Sequence, residues 1–457
     1  MKTEDQKWQS QPRKDPWTPR NGLLAILVLA VLAAGLYLWP REMGPAFSTP
    51  VGDWPAAEVA DVCEFGAKGD GLANDTPAIQ AAIDRIVARG GGRIRIPAGV
   101  YLVDGLRVYG SGVLIVGDGS AVSILRRRPA SPSANVLEFG ETALGNEANT
   151  YERNAVYGLT FDGNRERVEQ PLTDLTDWGL AFTKCSLGYF GDIEAMNCWN
   201  GGVLVAINSN FNRGSAEAKN CGRGNLRANG DGEPGFDVNS SKNNRFLIRS
   251  ENCRDGARLL DNCADDILDV QVRNAEVTGF IYNNQPVNES HNNHIHVAVD
   301  GGCAAQGVSI GANARHSTLV LSIRRTKGAG VNEIAGMGAR LAPTGNTYVV
   351  STAECAGQSC IIGGNEGSWT IRSRSDGRAG PQGAFYAIDI LGMRNRVSAA
   401  VTDESSWQVR GISLRRGATE NIVDQFTYRN IGTPFDDAGQ RNRWESGPRA
   451  SASATPQ

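Results

Sequence analysis

The most regular pattern in the chain is a short alternation of apolar and variable residues that restarts after a glycine. Gly179, Gly202, Gly235, Gly256, Gly279 and Gly307 each open such a run, at intervals of 23, 33, 21, 23 and 28 residues. The next residue is Leu180, Val203, Phe236, Ala257, Phe280 or Val308. Two positions further on come Phe182, Val205, Val238, Leu259, Tyr282 and Ile310. Between them stand Ala181, Leu204, Asp237, Arg258, Ile281 and Ser309, so one face is apolar and the other varies, the period of a β-strand. A second column runs out of phase with the first: Asn197-Cys198, Asn220-Cys221, Asn252-Cys253 and Asn274-Ala275. Short strands, amide-rich turns and a repeat of this length predict a solenoid. One rung cannot bury its own apolar face, whereas stacked rungs can. The expected fold is an all-β, single-stranded parallel β-helix. Looser rungs continue after Ile310, near 330, 350, 387, 414 and 426, and the β-helix is expected over 59–440.

Ahead of it, within residues 62–103, Ile79, Ile83, Ile86 and Val87 make one apolar face of a helix. Thr76 is the expected N-cap, Pro77 lies in the first turn and Gly90 is the stop. Such a helix covers the open apolar end of a stack and blocks edge pairing. Further upstream, Gly22 to Trp39 is eighteen uncharged, mostly apolar residues. At the helical rise it spans about 27 Å, enough to cross a bilayer. Lys and Arg exceed Asp and Glu before it, which puts residues 1–21 in the cytoplasm and the rest in the periplasm or outside the cell. No small-x-small cleavage site follows, so the reading is a single-pass signal anchor in contact with the lipid bilayer, followed by a Pro/Gly-rich linker at 40–58. Residues 441–457 are polar and small and are expected to be disordered.

The opening of the solenoid carries a specific likeness. Phe65-Gly66-Ala67-Lys68-Gly69-Asp70-Gly71, Asp75-Thr76, Ala78-Ile79-Gln80-Ala81-Ala82-Ile83, Gly91-Gly92 and Ile96-Pro97-Ala98-Gly99-Val100-Tyr101 resemble the pectate lyase superfamily. More narrowly they resemble the rhamnogalacturonase/epimerase-like pectate lyase domain also found in polygalacturonases and phage tailspikes. The resemblance implies a right-handed parallel β-helix acting on polysaccharide, without fixing the reaction. Polygalacturonase chemistry is not supported. Asp265-Asp266 is present but precedes a different strand, and neither Gly-His-Gly nor Arg-Ile-Lys occurs. The Asp-Pro-His-Asp run of alginate epimerases is also missing. Asp162-Gly163-Asn164-Arg165 reads as a structural Asx turn.

Composition narrows the chemistry. The formal charge is −3, with no basic stripe, so nucleic acid is not an expected partner. Nine cysteines show no zinc spacing. Cys198, Cys221 and Cys253 share one rung phase, as a buried stack or an inter-rung disulfide, and Cys355 and Cys360 are close enough in sequence to pair. His294 and His296 point out together from a sheet other than the one carrying Asp237, and read as solvated surface.

The strongest candidate site is the outward column Leu204, Asp237, Arg258, Ile281 beside the longest rung. Arg258 is expected to keep Asp237 ionised, suiting it as base, nucleophile or cation ligand. Asp255 and Glu233 lie at the edge of the same groove, either one as the acid of an inverting pair. Arg254 or Arg258 would neutralise a uronate carboxylate in a lyase. Trp178, Trp199 and Asn200 line the rung edge for sugar binding. No cofactor is required, though a divalent cation such as calcium is compatible with these carboxylates. An ordinary cross-strand ion pair explains Asp237 and Arg258 equally well. Two functions follow: a membrane-tethered, exported enzyme that cleaves or modifies an acidic polysaccharide, as lyase or inverting glycoside hydrolase, or a non-catalytic β-helix that binds polysaccharide or assists envelope assembly.

Overall fold

The computed structural model describes residues 58–446 and 449–450, apart from 133, 142–149, 169–175, 223–232, 334–340, 376–385 and 405–409. The segment 22–39 expected to cross the membrane, its flanks at 1–21 and 40–57, and most of the tail lie outside the described residues. Among the described residues no helix is long and apolar enough to cross a membrane.

The glycine-led runs are strands of one 13-stranded parallel sheet, and the intervening runs pair in a 19-stranded sheet. Register is as the repeat predicts: Leu204 pairs with Asp237, Asp237 with Arg258, and Arg258 with Ile281. The glycine column has a steric cause. A Cβ on Gly202 would stand 2.6 Å from the carbonyl oxygen of Gly235, and one on Gly235 would stand 2.9 Å from that of Gly256. The chain bends so tightly into each strand that the next rung's backbone fills the side-chain space. The asparagine column has a torsional cause. Asn197, Asn220, Asn252 and Asn274 all sit at φ between 53° and 55°, the left-handed region that asparagine tolerates best among residues with a side chain.

Inside, one continuous apolar core runs from Ala60 to Ile431. Aromatic rings stack along its axis: Phe139 on Phe182 at 4.7 Å, Phe190 on Phe246 at 5.1 Å, and Tyr348 on Trp369 at 3.7 Å between centroids. The helix Thr76–Ala88 adds Ile79, Ala82, Ile83 and Ile86 to this core. Its N-cap is Asp75 rather than Thr76. The Asp75 carboxylate is taken by the backbone N–H groups of Lys68 and Gly69, and Thr76 Oγ1 accepts from Asp104 N, so neither side chain caps the helix. Strands also continue past 440. Arg443–Trp444 and Arg449–Ala450 pair with Ile422–Arg429, so the start of the supposed tail belongs to the stack.

A third column, not anticipated from sequence, runs through the interior turn. Asn212 N donates to Asn244 Oδ1 (2.9 Å), Asn244 N to Asp266 Oδ1 (2.8 Å) and Asp266 N to Asn293 Oδ1 (3.0 Å). Asn293 N donates to Ser317 Oγ (3.1 Å) and Ser317 N to Asn346 Oδ1 (2.9 Å). Asn395, Asn421 and Asn442 repeat the link further on. Ladder amides also donate to a carbonyl a rung away, as Asn293 does to Cys263 and Asn346 to Ala314, whereas the Asn244 amide nitrogen has no partner among the described residues. Asp266 stands in this ladder where asparagine, or at one rung Ser317, is otherwise used. Burial pushes its carboxyl up to about 8, so at neutral pH it carries a proton; Oδ1 accepts from Asn244 N as a ladder amide oxygen does, while Oδ2 has no partner among the described residues. Asp265 holds the left-handed turn before it (φ 57°), so the Asp265-Asp266 pair is structural.

On the outer face of the long sheet, charge alternates from rung to rung: Lys219 beside Glu251, Glu251 beside Arg273, Arg273 beside Asp300, Asp300 beside Arg324. All nine cysteines are free thiols. Cys198, Cys221 and Cys253 form a buried stack with Ala218, and Cys355 and Cys360 are unbridged.

Two outcomes follow. Gly256→Ala forces a Cβ to 2.6 Å from the Val272 side chain and against the Gly279 carbonyl. It should destabilise the domain by about 3 kcal/mol, read by urea unfolding. Asp266→Asn tests the ladder by its pH dependence. Between the usual carboxylate range and about pH 8 the folded chain holds one proton more than the unfolded chain. Stability therefore falls as pH rises, by up to about 1.4 kcal/mol per unit. The asparagine variant loses this slope and is the more stable protein at alkaline pH.

Candidate functional site

Asp237 lies in the strand Pro234–Asn239 and Arg258 in the strand Asp255–Leu260, one rung apart. Their parallel register places both side chains on the outer face. Arg258 Nε donates to Asp237 Oδ1 at 3.2 Å and Nη2 to Oδ2 at 2.6 Å. The same Nη2 also donates to Glu233 Oε2. One guanidinium thus serves two carboxylates. Burial by itself would lower the Arg258 pKa, but the two carboxylates outweigh it and hold the guanidinium charged.

The expected open groove with an exposed pair is not what forms here. Glu233, Asp237 and Arg258 are 2%, 2% and 5% exposed. The three charges close on one another and satisfy themselves, so this is a buried triad rather than a surface pair. Its spacing also bears on mechanism. Oxygens of Glu233 and Asp237 bind one nitrogen, so they lie within about 5 Å of each other, two hydrogen-bond lengths. That is closer than the separation of about 6.5–9.5 Å an inverting pair of carboxyls requires. Asp255, proposed as the alternative acid, pairs across the rung with Pro234. It is buried and accepts from Thr278 N at 2.9 Å, tying two rungs together.

The sugar-binding candidates divide. Trp178 is fully buried. Its ring lies over Gly201, where no Cβ would fit, and packs with Ala181, Leu204 and Ala206 in a small apolar cluster of its own. It seals the outer face instead of presenting a stacking surface. Asn200 is buried as well, donating to the Thr176 carbonyl. Trp199 is half-buried. Its Nε1 donates to Val168 O at 3.2 Å, and the Arg165 guanidinium lies 5.9 Å from its ring centroid. Arg254 is half-buried and its backbone bridges to Cys221 and Val277.

Three features go beyond the sequence reading. Glu233, expected as an acid at the groove edge, shares the Arg258 guanidinium and so completes the triad, a contact with no periodic signature because Glu233 lies outside the alternating run. Asp269, in the neighbouring strand, reaches His296 Nδ1 at 3.2 Å, so that histidine has a carboxylate partner. Among the described residues no three His, Cys, Asp or Glu side chains converge as a metal site needs. Glu333, inside the stack, accepts from Tyr348 OH (2.5 Å) and Gly364 N (2.8 Å), and burial pushes its carboxyl up to about 7. The Asp162 turn behaves as expected, with Asn164 N donating to Asp162 Oδ1 at 2.9 Å.

Residues 59–281 match the family described as rhamnogalacturonase A/epimerase, pectate lyase-like. The mannuronan C5-epimerase AlgE3 of Azotobacter vinelandii is 37% identical over 171 residues, 32% of this chain and 9% of that protein. Alginate lyase 7 of the same organism is 35% identical over 116 residues, 24% of this chain and 13% of that protein. The chain therefore spans only a small part of these relatives' own length. Among solved structures, the A-module of the Azotobacter vinelandii epimerase AlgE6 superposes with a TM-score of 0.56 at 16% identity, covering 87% of this chain and all of that one. The N-terminal fragment of bacteriophage phi29 gene product 12 gives 0.56 at 15% identity, with 86% and 72% covered. At such identities these two speak to the fold alone. Residues 59–281, which hold the motif at Phe65–Asp70 and the glycine column as far as Gly279, thus match the pectate lyase-like family, and the parallel stack they belong to is the fold that the resemblance implies.

Proposed function

We propose that the protein is a membrane-anchored, exported enzyme that modifies an acidic polysaccharide at its uronate units, with Glu233, Asp237 and Arg258 as its working group. The observation that carries this reading is the one guanidinium shared by two carboxylates in the outward column. A uronate carboxylate is the same kind of ligand as Glu233. When it replaces Glu233 on Arg258, its charge is neutralised and the neighbouring C5 proton becomes more acidic. Glu233, separated from its cation in a buried setting, rises in pKa and becomes a base. It takes the C5 proton and the electron pair moves into the carboxylate. The intermediate then either expels the C4 oxygen, which takes the proton back from Glu233 and leaves a C4=C5 double bond, or regains at C5 a proton from solvent on the opposite face while Glu233 gives its own to water. The first outcome is a lyase, the second an epimerase. That relatives carry epimerase and alginate lyase names supports this choice over hydrolysis.

A second reading has its own support. The near-complete burial of the triad is what a structural lock would show, and the protein would then bind polysaccharide without turning it over.

The test is C5 exchange. Full-length protein in deuterated water with polymannuronate or polygalacturonate should incorporate deuterium at C5, with or without a new ultraviolet-absorbing double bond. Glu233→Gln should slow this by about 100-fold or more. Wild-type exchange rates in that variant would sink the assignment, and an absence of exchange in any polyuronate would leave the binding reading. The anchor is tested separately. The chain should sediment with membranes and be released by detergent but not by salt, and a soluble full-length chain would overturn it.

A further inference from the structure

Six rungs beyond Asp237, in the same outward column, stands Asp389. At the spacing of neighbouring strands this is about 29 Å along the face. Arg415 holds Asp389 with Nε and Nη2, each at 2.9 Å, and Gln358 Nε2 donates to it at 3.4 Å. The Arg415 side chain is nevertheless 47% exposed. Arg410, in the next strand, brings a second guanidinium: those of Arg410 and Arg415 each lie 5.4 Å from the ring centroid of Tyr386. Among the described residues no carboxylate pairs with Arg410. Ser413, the next residue in the column after Asp389, is fully buried, and its hydroxyl has no hydrogen-bond partner among the described residues. Asp436 stands one rung further out, exposed to solvent.

We infer that Arg410 and Arg415 form a second subsite that takes a carboxylate of a sugar-acid polymer. Two guanidiniums gather around one tyrosine, and Asp389 engages only one of them. Among the described residues no carboxylate claims Arg410, whose donors are left for an incoming anion. A planar carboxylate matches guanidinium geometry better than it matches a lysine. The site lies outside the 59–281 segment that carries the family match, and it rests on the uronate reading proposed above. Because the triad and this cluster share one face, an extended chain is the ligand able to touch both, and engagement at two points raises affinity for polymer over single sugars.

The experiment measures binding of full-length protein in detergent to fluorescent polymannuronate and to neutral dextran. Arg410→Gln and Arg415→Lys are compared with wild type, and thermal melting checks the fold. Arg410→Gln, which removes no ion pair among the described residues, should weaken polymannuronate binding about ten-fold without lowering the melting temperature. Arg415→Lys keeps the charge but not the bidentate grip, and should also weaken binding. Neutral dextran should bind to none of them. Unchanged affinity in Arg410→Gln overturns the subsite, as does equal binding of neutral dextran or a wild type that binds no polymannuronate. C5 exchange is read on the same wild-type samples. Arg410-dependent binding without exchange would refute the enzyme proposal and leave this subsite standing, whereas exchange with no Arg410 dependence would do the reverse.

Discussion

Backbone meets backbone in this protein at a distance no side chain would allow. Each glycine-led strand begins where the carbonyl of the next rung occupies the space a Cβ would need. That contact sets the bend, the bend aligns the strands, and aligned strands turn residues 21 to 33 positions apart into neighbours. Stability is therefore spread along the stack: every rung satisfies its hydrogen bonds and covers its apolar side chains only through the rungs next to it. The asparagine turns and the interior amide ladder serve the same end. They give an identical conformation to chain segments that otherwise share little sequence.

The outer face shows how the fold accommodates charge where the sheet is covered. Glu233, Asp237 and Arg258 close into a triad, and Trp178 folds over Gly201 rather than standing up to solvent. Removing one member of such a group would leave the others buried and uncompensated, which is far costlier than losing a surface pair. Arg258 therefore has a structural duty whatever its chemical one. At the other end of the same column, Arg415 grips Asp389 but stays half in solvent. One sheet thus carries a closed charge cluster and an open one.

Much of the architecture was legible because its causes are local and repeated. A glycine forced by close approach and an asparagine forced into the left-handed region recur at each turn, so spacing alone revealed the register that joins Asp237 to Arg258. The interior ladder was not legible. Its members alternate among Asn, Asp and Ser at separations of 32, 22, 27, 24 and 29 residues, and asparagine is common in turns for other reasons. The signal was the polar residue standing just before each inward-facing strand, as in Asn244-Arg245-Phe246 and Asn293-His294-Ile295. The site was half legible. Period two shows that Asp237 and Arg258 face outward, but nothing in it says that Glu233 turns back onto the same guanidinium, or that an outward residue ends up dry. The helix start was misplaced by one residue because Asp75 and Thr76 are both good caps, and tertiary partners took both side chains.

The alternating column from Lys219 to Arg324 bears on how a stack of this kind can change length. Glu251, Arg273 and Asp300 each lie between two residues of opposite sign. Excising the rung of Glu251 would set Lys219 against Arg273, and like charges side by side repel. Excising two consecutive rungs would restore plus beside minus while leaving the apolar interior continuous. On this stretch the protein is built to grow or shrink by twos, even though its hydrophobic core would tolerate steps of one.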